Sequence, residues 1–304
     1  MRSIIRIAAL ATAIGGWLTA CGHDSTAPSA SSGLTDQRAQ EIGGRLAREV
    51  TTSVAALTLG ARGGIAAASL RTAAGTASPS ADVVPCPAVN DVSDSDHDGI
   101  PDHATLIFAL PQCESVSGGD STFVTGTVQI ADPVFSPPPD PSAFGFAASF
   151  TDFTVRFAAA DSDSSFVETR NGAERVLFTP DGLAQTHAFE ITHAGHGGSA
   201  AIADAWNATF TPAPGASLVV DQPLPAGTLA VIGQTAWQSG DQGAQFQLVT
   251  AVPLAYDPTC PANAPNQFRS GEIHAALANS GGGAALIRIV FANCQAAVVV
   301  LAHD

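Results

Sequence analysis

Apolar residues recur every three or four positions between Gln37 and about Leu59, which is the period of an α-helix. Thr35 and Asp36 stand directly before this stretch, and short polar or acidic residues are typical of a helix N-terminus. The pattern therefore predicts one amphipathic helix over residues 35–59. Its apolar stripe consists of Ile42, Leu46, Val50, Val54 and Leu57.

From Cys86 onward the hydrophobic pattern changes to alternation, which indicates β-strands. The run at 122–130 alternates. A second run at 144–150 resumes at 153–157 after a one-residue phase shift, which suggests a β-bulge. Asn171-Gly172 lies between two extended runs, and this dipeptide is a strong signal for a hairpin turn.

Glycine-rich turn signals divide the second half of the chain into further strand pairs. The turns fall at 195–199, 239–243 and 280–283. The pairs around them are 185–193 with 200–211, 227–238 with 244–254, and 268–278 with 284–293, and a last strand covers 296–301. This spacing predicts about a dozen strands in up-and-down order.

The predicted fold is mainly β (α+β), with the N-terminal amphipathic helix packed on a large antiparallel up-and-down β-meander. Such a meander forms one continuous antiparallel sheet, a barrel or two packed sheets, and a curved or barrel-like sheet is the prediction. The helix is expected to lie against the sheet or inside its concave side, because its apolar stripe needs covering. Residues 86–304 form this β-domain, and the Ala/Gly/Ser/Thr-rich residues 60–85 form a linker ahead of it.

The first twenty residues have the features of an export signal. Arg2 and Arg6 supply positive charge, and the apolar stretch 7–18 is shorter than the roughly 20 residues that cross a bilayer. The stretch ends in Leu18-Thr19-Ala20-Cys21-Gly22. An ordinary secretory signal with an incidental cysteine is the alternative interpretation.

This string resembles the lipobox of bacterial lipoproteins. The resemblance implies cleavage before Cys21, lipid on that cysteine and anchoring in a membrane of the cell envelope, facing an oxidising compartment. Gly22 favours the outer membrane where the cell has one. Residues 21–34 are small and polar, so we expect a flexible tether. The predicted partner is the membrane, which the chain binds through its N-terminal lipid. The sequence does not identify a protein or ligand partner.

Four cysteines remain after Cys21, and an even number in an exported protein indicates disulfides. Three pairings are possible, and we favour the two sequential ones, Cys86–Cys113 and Cys260–Cys294. Each would close a loop of about 30 residues, worth roughly 3–4 kcal/mol in the chain-entropy model.

The formal charge of −15 becomes −17 once Arg2 and Arg6 are removed with the signal. An acidic domain cannot neutralise phosphates, so no nucleic-acid partner is expected. Solubility alone explains such acidity, although divalent cations could also bind.

An Asp-rich loop at 94–102 reads Asp-Ser-Asp-His-Asp-Gly-Ile-Pro-Asp. Carboxylates at alternate positions can converge on one cation, and Ca²⁺ prefers six to eight oxygen ligands. The loop resembles a single calcium loop of thrombospondin type 3 repeats. The resemblance implies side-chain ligands from Asp94, Asp96, Asp98 and Asp102 and a main-chain ligand from Ile100. The alternative is an acidic turn without an ion.

Other candidate sites are weaker. His187, His193 and His196 could bind a metal near a hairpin end, but exposed turn histidines are the favoured interpretation. Trp206, Trp237 and Tyr256 are expected in the core or on a sheet face, with a carbohydrate platform from the two tryptophans as the alternative. The chain lacks a G-x-S-x-G elbow, an H-E-x-x-H helix and a phosphate-binding glycine loop, so no catalytic residue is assigned.

The chain as a whole resembles β-rich bacterial lipoproteins, and its expected function is a non-enzymatic structural or binding role in the cell envelope. A second hypothesis is a carrier of lipid or other apolar cargo, similar to outer-membrane lipoprotein carrier proteins. Its cavity would lie between helix and sheet and be lined by Phe144, Phe146, Phe150, Phe153 and Phe157. A third is an envelope hydrolase, which requires Ser, His and acidic groups to converge in a cleft.

Overall fold

The computed structural model describes most of the region after the predicted tether. The described residues are 35–57, 86–96, 101–111, 113–117, 119–134, 144–159, 165–179, 181–195, 198–218, 224–240, 242–261, 264, 266–277 and 286–301. The predicted signal peptide (1–20), tether (21–34) and linker (60–85) lie outside these residues, as do His196, Asp98 and Ile100.

The helix α1 spans Asp36–Leu57. The Thr35 hydroxyl oxygen accepts a hydrogen bond from the backbone N–H of Arg38 (3.3 Å), which satisfies one of the free donors of the first turn. The described side chains of one helix side belong to the hydrophobic core, and they are Ala39, Ile42, Leu46, Ala47 and Val50. Nowhere in the described part of the chain is there a helix with the length and apolar character that a bilayer crossing demands.

Thirteen strands follow the helix in the described part of the chain. They are β1 Ala88–Ser93, β2 His103–Phe108, β3 Glu114–Ser117, β4 Asp120–Ala131, β5 Phe144–Ala158, β6 Phe166–Thr179, β7 Gly182–Gly195, β8 Gly198–Pro212, β9 Gly227–Ser239, β10 Gln242–Tyr256, β11 Phe268–Leu277, β12 Leu286–Ala292 and β13 Gln295–Leu301. All described pairings are antiparallel and join one sheet.

The order of strands in the sheet follows the chain, apart from one short detour. The twelve-residue β4 pairs with β2 through its second half and with β3 through its first half. The predicted mainly-β antiparallel meander is therefore confirmed. The path runs from β1 to β13 without closing, so the sheet is open.

Two predicted hairpin turns are confirmed by the register. Gly195 pairs with Gly198 between β7 and β8, and Ser239 pairs with Gln242 between β9 and β10. The predicted turn at 280–283 lies outside the described residues, although β11 and β12 pair as expected. In β7 and β8 buried and exposed residues alternate almost without exception, so one face of the sheet forms the core and the other faces solvent.

The predicted hairpin turn at Asn171-Gly172 is wrong, because both residues lie inside β6. The phase shift in β5 does mark a bulge: the register between β5 and β6 shifts between Phe150 and Phe153. Asp152, at a φ of +48°, donates its backbone N–H to Asn171 Oδ1 (2.7 Å). The Asn-Gly dipeptide thus accommodates a bulge in the neighbouring strand rather than reversing the chain.

Both predicted disulfides are present. Cys86–Cys113 joins the start of β1 to the segment ahead of β3, with a Cα–Cα distance of 5.1 Å. Cys260–Cys294 joins the β10–β11 connection to the turn between β12 and β13, with a Cα–Cα distance of 5.9 Å. The two crosslinks therefore lie beside the two opposite edges of the sheet.

Helix α1 approaches strands that are far apart in the sheet. A Cβ on Gly43 would lie 2.6 Å from Val298 Cγ1 of β13 and 2.8 Å from Ile287 Cγ2 of β12. On its other side, Glu49 forms an ion pair with Arg170 of β6 (3.0 Å). The Arg38 guanidinium also lies 4.7 Å from the ring centroid of Trp237 in β9.

Replacing Gly172 by Ala should destabilise the protein by about 2–4 kcal/mol, as expected for a backbone clash in a core strand. Gly172 has a φ of +148°, and its Cβ would lie 2.2 Å from the Ala188 carbonyl oxygen. Gly198→Ala is the matched control, because its φ is also positive but nothing lies within 4 Å of the new Cβ. Urea unfolding should show a clearly larger loss of unfolding free energy for Gly172→Ala than for Gly198→Ala. Equal losses would mean that the positive φ, and not the backbone clash, causes the destabilisation.

Candidate functional site

Polar and charged side chains are concentrated where helix α1 faces strands β6 to β9. We call this set the seam cluster. It consists of Arg45 and Glu49 from the helix, Glu168, Arg170 and Glu174 from β6, His187 from β7, Asp204 and Trp206 from β8, and Thr235 from β9. Such a concentration is unusual because charged groups are rarely buried unless they are paired.

The register of the sheet places the most deeply buried members of the cluster in two cross-strand rows. One row runs from Glu174 through His187 and Trp206 to Gly233. The adjacent row includes Asp204 and its partner Thr235. Directly opposite residues on neighbouring antiparallel strands have Cβ atoms about 4.5–5.5 Å apart, so residues of one row are in contact.

Four charges join the helix to β6 in an alternating quartet. Arg170 binds Glu49 (3.0 Å) and Glu168 (2.8 Å), and Arg45 binds Glu168 (3.4 Å) and approaches Glu49 (4.0 Å). The two terminal nitrogens of the Arg170 guanidinium, Nη1 and Nη2, each donate a hydrogen bond to one carboxylate oxygen of Glu49. The quartet carries two positive and two negative charges and is therefore balanced.

Burial opposes ionisation of Glu168, but the Arg170 and Arg45 guanidinium groups outweigh it and lower the pKa of Glu168 below its usual range. Burial likewise opposes the charge on Arg170, and Glu49 and Glu168 outweigh it and raise the pKa of Arg170. The charged forms of Glu168 and Arg170 are thus both favoured by their partners in the quartet.

Glu174 lies deeper in the seam and behaves differently. It is 7% exposed, and burial raises its pKa to about 7, against the opposing effects of the Arg170 charge and a hydrogen bond with Gln185. The Glu174 carboxyl group therefore binds a proton more readily than an exposed glutamate does.

His187 is held by aromatic rings. Its ring centroid lies 4.2 Å from that of Trp206 in a nearly parallel stack and 4.5 Å from that of Phe189. Burial lowers the pKa of His187 to about 3, with a further contribution from the Arg170 charge, so the imidazole is neutral. Among the described residues, none bonds to either His187 ring nitrogen or to Trp206 Nε1.

Asp204 is the second buried carboxyl group and is 2% exposed. Its Oδ1 accepts a hydrogen bond from the Thr235 hydroxyl, whereas its Oδ2 has no partner in the described part of the chain. Burial raises the pKa of Asp204 to about 6, in spite of the Thr235 hydrogen bond.

A glycine in β9 makes room for this arrangement. A Cβ on Gly233 would lie 2.4 Å from Trp206 Cα and 2.3 Å from the Ala205 carbonyl oxygen. A larger residue at 233 would push β9 away from β8 and separate Asp204 from Thr235.

The described residues of the Asp-rich loop, 94–96 and 101–102, lie between β1 and β2. The Ser95 backbone N–H and hydroxyl both donate to the Asp102 carboxylate (3.2 and 2.5 Å), and the hydroxyl bond is the main reason that the pKa of Asp102 is lowered. Asp132 at the end of β4 faces the same loop. Burial raises its pKa, and the carboxylates of Asp96, Asp102 and Asp94 add to the rise.

The donor set of this loop suits a hard cation. Asp132 Oδ2 is buried without a bonding partner among the described residues, and it adds a carboxylate that the loop sequence alone does not include. The described residues contain no group of three or more side chains close enough to hold a metal, but they leave out Asp98 and Ile100.

The two described histidines of the predicted cluster, His187 and His193, do not converge. His187 and His193 are six residues apart on β7, which separates them by roughly 20 Å along the strand. The expectation of exposed turn histidines is wrong for His187, which is buried between rings. His193 is half-buried, stacks on Phe166 and lies 3.6 Å from Glu168.

The aromatic residues belong mainly to the core. Trp206, Trp237 and Tyr256 are buried, as expected, which leaves no exposed tryptophan pair to serve as a carbohydrate platform. Phe146, Phe150 and Phe153 are buried as well, and Phe157 is half-buried. The side chain of Phe144 lies outside the described ones.

The seam cluster was missed by the sequence analysis, although its signal is present. In β6 to β8, Glu174, His187 and Asp204 stand in the same alternation phase as apolar core residues such as Val176, Leu183 and Ile202. A charged residue in the buried phase of a strand indicates a paired or functional group. Comparison with protein-family models, with curated proteins and with solved structures finds no match for this chain.

Replacing Arg170 by Met should lower the free energy of unfolding by about 3 kcal/mol, because the change leaves Glu49 and Glu168 buried without their main partner. The loss should shrink in the double variant Glu49→Gln/Arg170→Met, measured as a double-mutant cycle by urea unfolding. Arg269→Met is the matched control, since it breaks the exposed pair with Asp257 and should have a marginal effect. Additive losses for Glu49 and Arg170 would contradict the coupling.

Proposed function

We propose that this chain is a lipid-anchored lipoprotein of the bacterial cell envelope, with a non-enzymatic structural or binding role. The observation that carries the proposal is the pair of disulfides, one beside each edge of the sheet. Structural disulfides persist in oxidising compartments, so they support export. Together with the lipobox at Cys21, export supports attachment to the outer side of a membrane.

We further propose that α1 is an amphipathic helix enclosed by a curved sheet. Six strand spacings separate β6 from β12, which corresponds to about 29 Å in a flat sheet. A helix with its side chains is only about 10–12 Å wide. The approach of α1 to β6 through Glu49 and to β12 through Gly43 supports a sheet that bends around the helix.

The packing of the interior favours this role over a carrier of apolar cargo. Phe150 packs edge-on against Phe153 (5.6 Å between centroids) and Phe189 (5.2 Å), and Phe153 packs against Phe108 (5.3 Å). In that part of the interior the phenylalanines fill space with one another. His187 gives no support to a hydrolase, because aromatic rings flank it and no carboxylate among the described residues bonds to its ring nitrogens.

The proposal includes a structural Ca²⁺ in the Asp-rich loop, held by Asp94, Asp96, Asp98 and Asp102 and by the Ile100 carbonyl. Asp132 supports it by placing a further carboxylate against the same loop. The ion would offset the repulsion among these carboxylates. Because the loop lies within the Cys86–Cys113 ring, ion and disulfide would stabilise the same end of the sheet.

Replacing Cys21 by Ser should release the protein from the membrane fraction and abolish labelling with radioactive palmitate, because no thiol remains to carry lipid. The melting temperature of the β-domain should stay unchanged. Thr19→Ala is the control, because it keeps a small residue beside the cleavage site and should still be labelled and membrane-bound. Palmitate labelling of the Cys21→Ser protein would overturn the lipoprotein assignment.

Addition of 1 mM Ca²⁺ to chelator-treated protein should raise the melting temperature by about 3 °C or more, since an ion that binds only the folded state stabilises it. Mg²⁺ should have less effect because it dehydrates reluctantly. Asp96→Asn should remove the shift, whereas Asp181→Asn, an exposed residue ahead of β7, should preserve it. An unchanged melting temperature at millimolar Ca²⁺ would refute the ion site.

A further inference from the structure

We propose that the seam cluster is a proton-operated latch: proton uptake by Glu174 and Asp204 holds helix α1 against strands β6 to β9, and proton loss weakens that hold. The inference goes beyond the proposed function and does not depend on the lipid anchor. It assigns a role to buried titratable groups that the structural proposals leave unused.

The charge balance of the seam is the first argument. With Glu174 and Asp204 protonated, the quartet of Arg45, Arg170, Glu49 and Glu168 leaves the seam neutral. With both carboxyl groups ionised, the same volume carries two uncompensated negative charges. Charges buried without partners are strongly unfavourable, and hydration relieves them.

The position of the two carboxyl groups is the second argument. Glu174 and Asp204 are 7% and 2% exposed, and they lie in adjacent cross-strand rows on the helix side of the sheet. Because protein covers both carboxyl groups, water can reach them only if a neighbouring element of the structure moves. Strands β6 to β9 are each paired on both sides, whereas the helix is held to this part of the sheet by side chains alone.

The two sides of the helix differ in chemistry, which gives the movement a direction. Against β12 and β13, the helix packs Gly43 onto Val298 and Ile287, an apolar contact that does not respond to pH. Against β6, the helix is held by the charged quartet. Loosening should therefore begin at the β6 side, with the apolar side acting as the pivot.

The direction of the pH effect follows from proton linkage. Burial raises the pKa of Glu174 to about 7 and that of Asp204 to about 6, so the docked state binds more protons than a hydrated one. Their stabilisation of the docked helix is fully present at pH values below the usual carboxyl pKa. It is lost as the pH rises through 6–7. His187 acts in the opposite sense, because burial lowers its pKa and docking weakens as the pH falls below 6.5.

Among the described residues, the other charged or titratable groups that face the seam are Arg38, Arg45 and Glu49 on α1, Glu168 and Arg170 on β6, and His193 on β7. Arg170 stays charged over the whole window, and Glu168 has a lowered pKa and titrates below it. His193 lies 3.6 Å from Glu168 at the half-exposed end of the seam, so it is tested separately.

Hydrogen exchange followed by mass spectrometry tests the latch on the full chain in detergent, from pH 5 to pH 8. Exchange rates are divided by the intrinsic rate at each pH. Protection of the α1 amides should fall about tenfold between pH 5 and pH 8. This net fall is the loss due to ionisation of the two carboxyl groups, reduced by the opposite effect of His187. Protection of β7 and β8 should change less than twofold.

Tryptophan fluorescence provides a second readout at the seam. In a Trp17→Phe background the remaining tryptophans are Trp206 and Trp237, and both are buried. Trp206 belongs to the seam cluster, and Arg38 of α1 lies over the Trp237 ring. Their emission should shift to longer wavelength as the pH rises, because loosening of α1 admits water. The midpoint should fall between pH 6 and 7.

Two isosteric substitutions identify the groups responsible. In Glu174→Gln/Asp204→Asn, α1 protection should no longer fall with pH and should instead rise, because His187 is then the main titrating group. Glu190→Gln is the matched control, as Glu190 is exposed on the opposite face of β7. Glu190→Gln and His193→Gln should both keep the tenfold fall.

Three results would overturn the latch. One is α1 protection in the unaltered chain that is independent of pH. The second is a parallel loss of protection in α1 and in β7–β8, which would indicate a change in global stability. The third is a tenfold fall that survives in the double variant. The first two need no substitution, so the test does not depend on whether the variants fold.

Discussion

The ion pair between Glu49 on the helix and Arg170 on β6 ties together the two parts of this molecule. The helix and the sheet follow one another in the chain, but the two residues of this ion pair are more than a hundred positions apart. Arg170 also binds Glu168 and influences the pKa values of Glu174, His187 and Asp204. One guanidinium group therefore acts on the pKa of each of these buried groups, although burial contributes more to each shift.

The sheet makes that position possible through its register. A period-2 strand turns every second side chain towards the helix, and continuous antiparallel pairing carries the same phase across neighbouring strands. Glu174, His187 and Trp206 thus form a straight row without any sequence motif connecting them. The bulge at Asp152 adjusts β5 beside Arg170, and Asn171 and Gly172 accommodate it in the next strand.

Local patterns predicted much of the fold. The helix, the alternating strands, the hairpins after Gly195 and Ser239 and the burial of Trp206 and Trp237 all follow from hydrophobic period and turn chemistry. Cysteine spacing correctly favoured the two sequential disulfides. Asn171-Gly172 misled because a glycine with positive φ serves a bulge as well as a turn. The seam cluster could not be assembled from local patterns, since its members come from four strands and a helix and meet only through the register.

An open sheet has two rims, and thermal fraying of paired strands begins where one partner is missing. The crosslinks of this protein stand at those rims: Cys86–Cys113 beside β1 and Cys260–Cys294 beside β12 and β13. The strands from β5 to β9 carry no crosslink, because each is secured by neighbours on both sides. Covalent reinforcement is therefore concentrated at the two edges of the sheet, where an edge strand is paired on one side only.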